Sequence, residues 1–152
     1  MTIRRAIPDD LPNLIRMGRE FHAQSCCANT IPFSDANFAS AISDIATNAA
    51  SVLFVFDAGA AGCIGMAAAI STPYWFNASK RIGQELFWWV DVDQRGTQAG
   101  MHLLDALEAW AADMGCAVFS MASTANIKPK ALARLYRRRG YAAQDIYYVK
   151  EF

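Results

Sequence analysis

Residues 84–114 constrain this chain more than any other stretch. Gln84 to Val92 reads as a strand, with Phe87, Trp88 and Trp89 near its centre. Asp93 to Thr97 is a short glycine-containing loop. Residues 98–114 then place Gly100, Leu103, Leu104, Leu107, Trp110, Ala111 and Met114 on one helical face. His102, Asp105, Glu108 and Asp113 fall mostly on the other side, and Gly115 stops the helix. A strand feeding a helix through a tight loop points to a layered arrangement of sheet and helices. It also presents a helix N-terminus, whose unpaired N–H groups and partial positive charge take up phosphate readily. Arg95 adds a cation there, and Gly96 lets backbone approach closely. An ordinary turn with glycine for geometry is the plain alternative. The loop lacks the Gly-Lys-Ser/Thr of a Walker loop and the spacing of a dinucleotide fingerprint.

The rest of the chain alternates in the same way. Ile3 to Arg5 is a short extended opening, and Pro8-Asp9-Asp10 starts a helix with Leu11, Leu14, Ile15, Gly18 and Phe21 inward. Ser34 is a good N-cap for a second helix carrying Phe38, Ala41, Ile42 and Ile45. Ser51–Phe56 and Cys63–Ile70 read as a hairpin around Asp57-Ala58-Gly59, followed by a loop through Tyr74, Trp75 and Phe76. Cys116–Met121 is a further strand. Pro129 opens a last helix that ends at Gly140, and Tyr147–Lys150 closes the chain as a strand. The expected order is β-α-α-β-β-β-α-β-α-β in one mixed α/β (α+β) domain spanning residues 1–152.

Composition narrows the function classes. Hydrophobic residues make up 54% of the 152 and charged residues 18%, which excludes a disordered tail. Fourteen basic and fourteen acidic side chains cancel, so bulk attraction to nucleic acid is not expected. The balance is uneven. Residues 1–127 carry seven basic and twelve acidic groups, whereas residues 128–139 hold six basic groups and no acid. The N-terminus has no apolar signal region, and the charge-free run 58–79 is broken by Ser71, Thr72, Pro73 and Asn77. A cytoplasmic protein that does not span the membrane is expected. Four cysteines without a CxxC pair, and two histidines, give no metal-ligand spacing.

Two segments carry a family resemblance. Val90-Asp91-Val92-Asp93-Gln94-Arg95-Gly96-Thr97-Gln98-Ala99-Gly100 resembles the Gln/Arg-x-x-Gly-x-Gly/Ala motif of the GNAT superfamily of N-acetyltransferases. Arg95 takes its first position and Gly100 its last, but Gln98 replaces the central glycine. Leu135-Tyr136-Arg137-Arg138-Arg139-Gly140-Tyr141 is similar to that family's Leu-Tyr-x-x-x-Gly-Phe signature. Pro129 stands where an asparagine often precedes it, with Asn126 an open substitute.

The resemblance implies a mostly antiparallel central sheet flanked by helices, and acetyl-CoA as cosubstrate. It implies that Arg95, Gly96, Thr97, Gln98, Ala99, Gly100 and Met101 cradle the pyrophosphate. Backbone groups of Trp88, Val90 and Val92 would line the pantetheine arm, with the Val90 N–H facing the thioester oxygen. Tyr136 is then the candidate acid for the departing thiolate, with a core tyrosine as the alternative. Glu85 is the candidate base for the acceptor amine, with Glu20, His22 or a water chain as competitors. Loops 25–33 and 72–80 are expected to frame the acceptor pocket. Tyr74, Trp75 and Phe76 would stack on an apolar acceptor, or form a lid or a homodimer contact. The rival reading is a non-catalytic protein that meets nucleic acid or an acidic partner through the basic helix 128–139.

Overall fold

The computed structural model describes residues 2–123 and 128–150. Five strands form one sheet in chain order: β1 (Thr2–Arg5), β2 (Ser51–Asp57), β3 (Cys63–Tyr74), β4 (Asn77–Val90) and β5 (Cys116–Ser120). The first four pair antiparallel, and β5 joins β4 in parallel. Four helices flank the sheet: α1 (Leu11–Ala23), α2 (Asp35–Thr47), α3 (Ala99–Asp113) and α4 (Pro129–Arg138). The Ser34 hydroxyl caps α2, accepting the Asn37 N–H at 3.3 Å.

Strand periodicity sorts the core into two layers. Leu53 and Val55 of β2, Met66 and Ala68 of β3, and Phe87 and Trp89 of β4 face Leu14 and Met17 of α1 and Ile42 of α2. Val52, Phe56, Ala67 and Ala69 face the opposite way, onto Leu103, Leu107 and Trp110 of α3. Ala67, Ala68 and Ala69 are fully buried at the centre of the sheet, where their small side chains leave room for the larger residues on either side. Met66 is fully buried beneath α1. Met66→Ala is expected to cost about 2–5 kcal/mol in chemical denaturation, through lost transfer energy and a residual cavity.

The structure departs from the sequence expectation at two places. Residues 72–80 are not a loop: β3 runs to Tyr74, β4 begins at Asn77, and only Trp75 and Phe76 form the turn. The register of Ser71 with Gly83 and Pro73 with Arg81 extends the ladder through this stretch. Hydrogen-bonding backbone therefore outweighs the polar, proline-containing composition that suggested a loop. The closing strand at Tyr147–Lys150 is absent. Ile146, Tyr147, Tyr148 and Val149 are largely exposed and join no ladder among the described residues. β-propensity alone makes no strand without a paired neighbour. No helix among the described residues is long and apolar enough to cross a membrane.

Candidate active site

The site is built where β4 and β5 part. The two strands pair only over Arg81 to Gln84, opposite Cys116 to Ser120. A bulge then interrupts the β3–β4 ladder: Ala69 pairs with Glu85 and Ala68 with Phe87, leaving Leu86 as an extra residue. Strict alternation would put Glu85 on the face of Phe87 and Trp89, towards α1. Cross-strand partners share a face, and Ala69 belongs to the α3 face. The bulge therefore moves Glu85 to the side that carries Trp88. Just past the end of β5, the Ala122 N–H donates to Glu85 Oε2 at 2.8 Å. From α4, the Tyr136 hydroxyl donates to the Ala122 carbonyl at 2.8 Å. The two side chains singled out as candidate acid and base thus meet across one residue.

A cavity of about 150 Å³ lies at this fork, lined by Phe21, Glu85, Leu86, Trp88, Ala122, Leu132 and Tyr136. Burial pushes the Glu85 carboxyl up to about 7, against a smaller downward pull from the Ala122 N–H. Burial also raises the Tyr136 hydroxyl above its ordinary range, with the Glu85 charge adding to the shift. The competing bases lie elsewhere. Glu20 is paired with Arg16 at 3.1 Å on the surface of α1. The His22 ring packs against Phe33 at 5.6 Å. Neither lines the cavity.

Beside the fork, the backbone of β4 offers free groups. The Asp91 N–H donates to the Ile64 carbonyl, so Asp91, Trp89 and Phe87 turn their hydrogen-bonding groups towards β3. Trp88 and Val90 turn theirs to the opposite edge, where β5 has already diverged; the Val90 carbonyl is taken up by Arg95, and the Val90 N–H has no strand partner there among the described residues. Val92 lies past the strand, exposed in a short 3-10 turn. At the start of α3, the N–H groups of Gly96, Gln98, Gly100 and Met101 have no hydrogen-bond partner among the described residues. The Thr97 and Ala99 N–H groups are turned to Gln94 O and Thr97 Oγ1. Gly96 adopts φ +94, which favours glycine. Gln98 has ordinary helical angles (φ −76, ψ −6), so this loop has no need of a glycine at that position. A Cβ on Gly100 would sit 3.3 Å from the Trp88 ring and 3.6 Å from Val90, so its absence lets α3 start close against β4. The Arg95 side chain is folded back: its Nε donates to Val90 O at 3.1 Å and its guanidinium lies 4.4 Å over the Trp89 ring.

Several supporting residues escape sequence reasoning. Arg16 donates both terminal nitrogens to Asp91, at 3.0 and 2.8 Å, and ties α1 to the end of β4. Arg139 bridges Asp105 and Glu108 on α3, and the Tyr141 hydroxyl also reaches Glu108, which together anchor the end of α4. Phe21, Leu86 and Leu132 line the cavity. Being apolar side chains with no chemistry of their own, they carry no signal of that role in the sequence.

Comparison with known proteins agrees with this fold. The acetyltransferase (GNAT) family model matches residues 19–141. No curated protein matches the chain. Among solved structures, a transcriptional regulator from Bacillus halodurans C-125 is 21% identical with a TM-score of 0.79, covering 99% of each chain. An acetyltransferase from Trypanosoma brucei is 20% identical with a TM-score of 0.77, again over 99% of each chain. Glucosamine-6-phosphate N-acetyltransferase from Arabidopsis thaliana is 18% identical with a TM-score of 0.77, over 99% of this chain and 97% of that one. At these identities the structural matches speak to fold, and the family model covers most of the sequence. The chain therefore belongs to the GNAT family of acetyl-CoA-dependent N-acetyltransferases.

Proposed function

We propose that this chain transfers the acetyl group of acetyl-CoA to a primary amine within a single ternary complex. The observation that carries the reading is the joint placement of Glu85 and Tyr136 across Ala122, beside an unpaired strand edge and a helix N-terminus with free N–H groups. The residues present suit the cosubstrate. Free N–H groups of Gly96, Gln98, Gly100 and Met101 suit a pyrophosphate, with Arg95, Thr97 and Ala99 completing the loop. The Trp88 indole N–H is buried without a partner among the described residues, a donor that a polar ligand satisfies. Trp88 and Val90 present backbone groups to an extended arm, and Val92 borders its path.

Bound acetyl-CoA supplies the activated acyl carbon. Glu85, with a carboxyl near 7, accepts the proton that the amine must lose at neutral pH. The Val90 N–H would be the donor available to the oxygen on which negative charge builds. Tyr136, held protonated to high pH by its burial, would serve as hydrogen-bond donor to the departing thiolate once its bond to Ala122 opens, and the proton that Glu85 has taken from the amine balances the charge of that thiolate. The apolar walls of the cavity exclude water from the exchange.

The reading predicts that acetyl-CoA raises the melting temperature, as a native-state ligand must, and that coenzyme A is released when an acceptor amine is added. A melting temperature unchanged at millimolar acetyl-CoA, with no thiol release across an amine panel, would sink it.

A further inference from the structure

We propose that the acceptor is a small monoamine with an apolar or aromatic body, rather than a polyamine, an aminoglycoside or a phosphorylated amino sugar. This rests on the amine acetylation proposed above and specifies the chemistry of the same cavity.

The charge inventory of the cavity carries the inference. Glu85 is the one ionisable carboxylate lining it among the described residues, and the Ala122 N–H is its one hydrogen-bond partner there. One unpaired carboxylate matches one ammonium. A second or third ammonium would be desolvated against Phe21, Leu86, Trp88 and Leu132 with nothing to neutralise it. Neighbouring acids are already engaged: Asp91 and Glu20 with Arg16, Asp35 with Arg19, and Asp105 and Glu108 with Arg139.

A phosphorylated acceptor fails on the opposite sign. No cation lines the cavity among the described residues. Arg16, Arg19 and Arg139 are committed to those carboxylates, Arg81 bonds Ser71, and Arg95 lies over Trp89. Lys130 and Arg134 of α4 are on the wrong side. Lys130 and Arg134 lie one turn apart, as do Leu132 and Tyr136, and two residues on a helix amount to about 200°. Lys128, Lys130 and Arg134 accordingly border a separate depression, together with Pro129 and Ala131. The undescribed residues 124–127, Thr-Ala-Asn-Ile, add no charge of either sign.

Size and polarity agree. A space of about 150 Å³, shared with the thioester end of the cosubstrate, leaves room for the reacting amine and a short linker. The remainder of the acceptor then rests on Phe21 and on Leu86, which is 41% exposed. Those surfaces reward an aryl or alkyl body and offer no hydrogen bonds to a polyhydroxylated ring.

The test compares phenethylamine, spermidine, kanamycin and glucosamine 6-phosphate as acceptors, with acetyl-CoA saturating and N-acetyl products read by mass spectrometry. Phenethylamine is expected to exceed the other three in kcat/KM by about 100-fold or more. A higher value for any of the other three overturns the proposal. Product from none of the four, with acetyl-CoA still raising the melting temperature, also overturns it while leaving the cosubstrate reading intact. Absence of that thermal shift as well defeats the acetyl-transfer reading itself. Leu132→Asp places a second carboxylate in the cavity and should raise the spermidine-to-phenethylamine ratio by about 10-fold or more. Phe21→Leu, a milder change, should raise the KM for phenethylamine and leave that for acetyl-CoA unchanged. An unchanged ratio in the first folded variant, or an unchanged phenethylamine KM in the second, counts against the proposal.

Discussion

Glu85→Gln is expected to lower kcat/KM for the amine by about 10²–10⁴-fold while leaving the KM for acetyl-CoA nearly unchanged. The substitution keeps shape and the oxygen that accepts the Ala122 N–H, and removes only the ability to take a proton. The same variant should be more stable than the parent at pH 8. In the folded protein this carboxyl is raised from its ordinary 4.5 to about 7, so the fold retains a proton that the unfolded chain releases. Between about pH 4.5 and 7 the folded state binds more protons, and stability falls as pH rises through that window. Above it the buried carboxylate is a full cost, which glutamine relieves by about 1–3 kcal/mol. Below about pH 4.5 the difference should vanish. Denaturation midpoints of the two proteins at pH 4, 6 and 8 measure this directly. Loss of activity with equal stability at all three values would mean that Glu85 is not held in a desolvated site.

Gln98→Glu should separate cosubstrate binding from folding in the opposite direction. The side chain is exposed, makes no cap and sits at the N-terminus of α3. A negative charge there complements the helix dipole and should stabilise the free protein slightly, by about 0.3–1 kcal/mol. The same charge opposes a pyrophosphate on the free N–H groups of that turn, so the KM for acetyl-CoA is expected to rise about 10-fold. The increase should shrink at high salt, since the group is solvent-exposed. A KM that stays at the parental value would place the cosubstrate phosphates away from this helix.

Glu85 and Tyr136 show how far residue patterns reach. The family resemblance nominates them, and the fold brings them together. Their meeting point, Ala122, works through backbone N–H and carbonyl groups alone, which leave no trace in a side-chain pattern. The bulge at Leu86 is equally silent, because one apolar residue in an apolar strand looks like its neighbours, yet it decides which face Glu85 occupies. The packing face of α3 was legible from the helical spacing of its apolar residues, whereas β2 is a continuous apolar run whose two faces only the pairing sorts between the layers. Arg95 illustrates the reverse case. Its charge suggested a phosphate partner, but Val90 O and the Trp89 ring hold the guanidinium, and only geometry could reveal that competition. At residues 72–80 polar composition suggested a loop, and backbone pairing extended both strands through it.

Backbone amide resonances during an acetyl-CoA titration test the central claim most directly. The account predicts that the amides of Gly96, Gln98, Gly100 and Met101, with those of Trp88 and Val90, shift together and saturate at one dissociation constant. Unmoved amides at these six positions, with shifts confined instead to Lys128, Lys130 and Arg134 on the far side of α4, would contradict it.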